Sequence, residues 1–207
     1  MAETKKRAPR RKQVAEEFKR AHLELENEGV NDVSAREVVI RSGGARDIKA
    51  ETVALTQGGA NTITAKAINV NQGGVAQANA GTLNVKQGGI VRAEADEIEV
   101  TQGGIVLARA EEIELEASGA LAALGTNIHV EAGGAQWMLA RESIQVQQGG
   151  AFVMAASQIH VENGGAVFLI AREVHGNVRA LFDQRGALVF GIAAGIVLGL
   201  IALGRRR

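Results

Sequence analysis

Residues 45–104 read ARDIKAETVALTQGG, ANTITAKAINVNQGG, VAQANAGTLNVKQGG and IVRAEADEIEVTQGG, four consecutive units of equal length that each end in Gly-Gly. The pair recurs on both sides, at 43–44, 133–134, 149–150 and 164–165, with Ser118-Gly119 in the one slot that lacks it. One step is longer than the others, through an extra residue between Ala135 and Gly150. A short fixed period is the mark of a repeat architecture, in which each unit is too small to fold alone and must bury its apolar face on its neighbours.

Counting from the residue after each Gly pair, position 9 is aliphatic in every unit, from Val38, Val53 and Ile68 to Ile159 and Val174. Position 11 follows suit from Ile40 and Leu55 to Val161, until Gly176 breaks the series. Position 4 is apolar throughout, as in Ile48, Ala78 and Met138, and position 6 is Ala in every unit but one, where Gly125 stands. Polar residues fill most of positions 10 and 12. Alternation of this kind is the signature of strands with one buried face. The pattern predicts two short strands per unit, at positions 2 to 6 and 9 to 12, with positions 4, 6, 9 and 11 inward. A single unit cannot offset about 1–2 kcal/mol of backbone entropy per residue. Stacked units can. The predicted fold class is therefore all-β: a β-solenoid of about ten 15-residue coils over residues 30–180. The Gln before most of the Gly pairs, at 57, 72, 87, 102 and 148, with Asn163 before another, is expected to form a second ladder of side-chain amides along the axis.

The flanks differ from the repeat. Residues 1–12 form a basic tail with Lys5, Lys6, Arg7, Arg10, Arg11 and Lys12, and no apolar core of a signal peptide follows it. In 13–29, Val14, Phe18, Ala21 and Leu25 stand at helical spacing before Gly29, which predicts a short amphipathic helix capping the first coil. Within 181–207, the stretch from Ala187 to Leu203 is an uninterrupted, uncharged apolar run closed by Arg205, Arg206 and Arg207. Its length is close to what a helix needs to cross about 30 Å of hydrocarbon, so a single transmembrane anchor is expected. Ala187, Gly191, Gly195 and Gly199 fall four apart, a small-residue stripe on which a second helix would pack. A C-terminal anchor leaves the repeat domain in the cytoplasm; the basic N-terminus agrees with this, while the arginine tail argues the other way.

Function has to be sought on outward positions. Positions 3 and 5 are polar in early coils, as in Asp47, Lys49, Thr62, Thr64, Arg92 and Glu94. In later coils they become Leu124, Trp137, Leu139, Val153, Phe168 and Ile170. An apolar patch of this size predicts an interface with another copy, a protein partner or lipid. No P-loop, dinucleotide fingerprint, HExxH or nucleophile–base arrangement occurs, so no enzyme activity and no cofactor are expected. The absence of Cys excludes disulfides and thiolate metal sites, and zero net charge gives no reason to expect a nucleic-acid partner. Position 10 carries Glu114, His129, Gln145, His160 and His175. His160 and His175 would be neighbours able to share a metal, but a solvent-facing polar ladder is the expected reading. The alternative to a scaffold is a binding module with its ligand on the apolar face of the later coils.

Stacked Val/Ile strands joined by Gly turns, over residues 30–180, resemble the bactofilin-type β-solenoids, bacterial polymer-forming cytoskeletal scaffolds. The resemblance implies a parallel solenoid and a structural role, and it carries over no functional residue. The strict QGG unit and the C-terminal apolar run depart from that family's pattern.

Overall fold

A computed structural model describes residues 20–182. It contains β1 (Arg20–Lys49), β2 (Thr52–Thr64), β3 (Ala67–Asn79), β4 (Thr82–Lys86), β5 (Gly88–Glu94), β6 (Glu97–Thr101), β7 (Gly104–Arg109), β8 (Glu112–Glu116) and β9 (Ser118–Phe182). The pairings between these elements are all parallel and advance by one repeat unit at each step. Val38 pairs with Val53, then Ile68, Leu83, Ile98, Ile113 and Ile128, so the ladder joins seven successive rungs. The fold is thus an all-β parallel solenoid of about seven turns, consistent with a bactofilin-like architecture. The burial pattern continues past these rungs, where Ile144, Val146, Ile159 and Val161 are sealed from solvent.

Each rung contains three ladder segments rather than the two expected. Between β1 and β2 they cover Glu37–Ile40 against Thr52–Leu55, Gly43–Ala45 against Gly58–Ala60, and Asp47–Lys49 against Thr62–Thr64. The Gly pair is part of the ladder, not a free loop. The corner near position 7 has its own rung-to-rung bonds, with Glu51 N donating to Arg36 O, Lys66 N to Glu51 O and Gly81 N to Lys66 O, each 2.9 Å. Backbone groups at the bends are therefore satisfied along the axis, which lets so short a coil turn three times without stranding polar atoms.

The third segment changes what is inside. Positions 4, 9 and 11 point inward as expected, but position 6 is only half-buried and its place is taken by position 1, where Ala60, Val75, Ile90 and Ile105 are buried. The register skips position 2, running from Ala45–Ala60 to Asp47–Thr62, and this break inverts the alternation on either side of it. Positions 1 and 4 then divide one volume between them. The early rungs combine Ala60 with Ile63; the middle ones combine Val75 with Ala78, Ile90 with Ala93 and Ile105 with Ala108; the later ones combine Ala135 with Met138 and Ala166 with Leu169. Large and small alternate across the pair, as close packing of a narrow interior demands.

Where position 14 adopts positive φ, as at Gly58, glycine is required for two reasons. Gly58 sits at φ +144°, and a β-carbon there would overlap the carbonyl oxygen of Gly43 in the rung beside it. Gly74, at position 15, has ordinary room: the nearest atom to a β-carbon would be the Gly89 oxygen at 3.8 Å.

The amphipathic helix expected over 13–29 is not found where it can be seen: residues 20–29 belong to β1. Leu25 is buried and Leu23 partly so, while His22, Glu24 and Glu26 are exposed. These leucines stand one repeat unit before Val38 and Ile40, and His22 Nδ1 lies 3.0 Å from Glu37 across the same step. Period-two alternation that matches the next rung outweighs the helical spacing, because a strand can add its backbone to an existing sheet edge and a short isolated helix cannot. Residues 13–19 of that segment, the basic tail 1–12 and the apolar run 187–203 with its Ala187, Gly191, Gly195 and Gly199 stripe lie outside the described residues. Among the described residues no helix is long and apolar enough to cross a membrane.

Candidate interaction face

Because the inside of each rung is fixed by packing, the outward columns are where this chain varies. The register aligns Thr62, Gln77, Arg92, Leu107 and Ala122 at position 3, and Thr64, Asn79, Glu94, Arg109 and Leu124 at position 5. Polar character gives way to apolar along both columns. Of the six residues expected to form an interface, Trp137, Leu139, Phe168 and Ile170 are exposed, Ile170 at 60%. Leu124 and Val153 are half-buried.

The sequence reading missed a third column. Val91, Val106, Leu121 and Phe152 at position 2 are all exposed, Phe152 at 50%. Strict alternation from position 4 would have turned position 2 inward; the skipped register turns it out. The signal was present as four large apolar residues at one repeat position. Phe152 and Phe168, at positions 2 and 3 of neighbouring rungs, pack edge to face with ring centroids 5.6 Å apart, so the two columns form one surface.

Beside this surface runs a groove of about 680 Å³. Its floor is the position-6 column, Ala95, Ala110, Gly125 and Ala140, and Leu124, Leu139, Arg109, Glu111 and Arg141 stand along it. The invariably small residue at position 6 therefore shapes an external channel instead of filling the interior.

The other faces are polar. Gln57 donates to Gln72, Gln72 to Gln87 and Gln87 to Gln102 at 3.0–3.2 Å, the amide ladder expected from the sequence. Asn84 donates to Asn69 in a shorter ladder at position 10. Lys66 donates to Glu51 at 3.0 Å and Arg92 to Glu94 at 2.6 Å. These contacts hold both carboxyls below their ordinary value of 4.5, through the hydrogen bond first and the charge second. Among the described residues the three-ligand group lies at Glu114 and His129 of position 10 with Glu131 of position 12, whose ligand atoms fall within 4.8 Å of one another, rather than at His160 and His175.

Fold and surface together define a parallel β-solenoid repeat protein with a graded apolar face. No protein-family profile, curated protein or solved structure matches the chain.

Proposed function

We propose that this protein is a non-enzymatic, membrane-anchored scaffold, a rigid rod whose later rungs pair with a second copy through the face bearing Trp137, Leu139, Phe168 and Ile170. The observation that carries the reading is the change along one side of the rod, from hydrated residues such as Thr62 and Asn79 to exposed Val106, Leu121, Phe152 and Ile170. Exposed apolar side chains gathered on one side of a rod are costly unless something covers them. The anchor rests on the apolar run Ala187 to Leu203, with the Ala187, Gly191, Gly195 and Gly199 stripe giving a second self-contact within the bilayer. In this reading the repeat domain is cytoplasmic and the partners are lipid and another copy of the chain, with no nucleic acid.

A second reading has an observation of its own. The groove floored by Ala110 and Gly125 has a volume of about 680 Å³, in the range of small-ligand sites, with Arg109, Glu111 and Arg141 along its edge. Cysteine crosslinking of the full chain in membranes separates the two. The chain has no native Cys, so Trp137→Cys and Phe168→Cys report only their own surroundings. Pairing predicts crosslinked dimers from both and none from Asn84→Cys on the amide-ladder face. Monomers throughout would reject pairing.

A further inference from the structure

We propose that Glu114, His129 and Glu131 form a binding site for a divalent first-row metal ion of the zinc class. The register places Glu114 directly beside His129 in the next rung. Glu131 is two residues beyond His129 along the strand and so projects from the same face. One nitrogen and two carboxylate oxygens thus converge within 4.8 Å, a spacing that small side-chain rotations close onto ligand bonds of about 2.0–2.2 Å. Imidazole with carboxylates is a donor set that zinc accepts, and magnesium, which prefers oxygen alone, does not favour it.

The surroundings of the triad argue that a cation belongs there. Glu97 is aligned with Glu112 and Glu99 with Glu114, so like charges stand in register on neighbouring strands, and the second of these columns continues to His129. Such pairing is unfavourable. Earlier rungs avoid it by setting Lys66 and Arg36 against Glu51, and by placing amides such as Asn69 and Asn84 in register. Among the described residues no ion pair involves Glu97, Glu99, Glu112 or Glu114, and no hydrogen bond or ion pair involves the side chains of Glu114, His129 or Glu131. His129 and Glu131 are half-buried and Glu114 is exposed, which leaves the triad partly desolvated yet open on one side. Next to the imidazole lies a small groove lined by Glu112, Asn127, Ser143 and Gln145, space for the waters that would complete the coordination shell. In the next rung position 10 is Gln145, which carries no charge.

The test is calorimetric titration of the detergent-solubilised full chain with zinc chloride, with magnesium chloride as the control ion. The expected result is one zinc per chain, at least tenfold weaker binding in each of His129→Ala, Glu114→Gln and Glu131→Gln, and unchanged binding when His22, His160 and His175 are all replaced by Ala. Cobalt substitution supplies a second readout, an absorption band present in the parent and lost in His129→Ala. A parent chain that takes up no zinc, or zinc binding that survives all three single variants, would overturn the assignment. All three side chains are on the surface of the ladder, so circular dichroism of each variant should match the parent and tie any loss to the site.

Discussion

Rungs 45–79 and rungs 120–170 share a backbone plan and differ outside. In both, Gly at position 14 touches the rung beside it, and aliphatic residues at positions 9 and 11 are sealed in. Yet where the early rungs present Asp47, Thr62 and Gln77 at position 3, the late ones present Trp137, Val153 and Phe168. The comparison separates what stacking demands from what it leaves free. Inward residues answer to their equivalents in the adjoining rungs, whereas outward ones answer only to solvent or to a partner.

The largest effects should come from the shared device and be alike in both regions. Gly58→Ala and Gly149→Ala each place a β-carbon into the carbonyl of the adjoining rung, at φ +144° and +129°. Each is expected to lose roughly 3–4 kcal/mol in thermal or denaturant unfolding. Gly74→Ala should be nearly silent. Tolerance of alanine at 149 but not at 58 would show that the late rungs do not share the early geometry.

Next come the interior pairs. Ile90→Ala should cost about 3 kcal/mol, because its partner Ala93 is too small to fill the space. Ala93→Ile in the same chain should recover much of that, since the early rungs carry the small–large order already. A double variant no more stable than Ile90→Ala alone would refute the shared volume.

Smaller effects distinguish the faces. Gln72→Ala removes two amide bonds of an exposed ladder and should cost about 1 kcal/mol. Ser118, in place of the usual Gly, buries a hydroxyl that finds no hydrogen-bond partner within the protein, so Ser118→Gly should gain about 1 kcal/mol. Trp137→Asp should change stability by no more than about 0.5 kcal/mol while abolishing association in the membrane. The smallest effect is one of pH. Glu51 has its carboxyl lowered by Lys66 and Arg36. A lowered carboxyl contributes stability that is present above 4.5 and lost as pH falls through the depressed value. The acid limb of the stability profile should therefore flatten slightly in Glu51→Gln.

Much of this was legible in the sequence, for a physical reason. A fixed period ties each residue to its equivalent in the next rung, so Val38, Val53 and Ile68 could be read as one column, and Gln57 to Gln102 as another. What escaped were places where the chain breaks its own alternation. The skipped register at position 2 put Ile90 inside and Val91 outside, and left Ala110 as a groove floor instead of a core residue. Helical spacing in 13–29 hid the strand over 20–29, since Leu25 fits both patterns and only the rung next to it decides between them. Of the candidate site, the columns at positions 3 and 5 were visible as composition. The Glu114, His129 and Glu131 triad was not, because it joins positions 10 and 12 of two rungs.

The central claim is that segments one repeat unit apart are equivalent, evenly spaced rungs of one column. Spin labels at Thr62 and, in turn, at Leu107, Ala122 and Trp137 occupy the same repeat position three, four and five rungs away. With strands about 4.8 Å apart, the inter-label distances should rise in equal steps to about 14, 19 and 24 Å. Distances that plateau, or that fail to increase with each rung added, would contradict the stacked column.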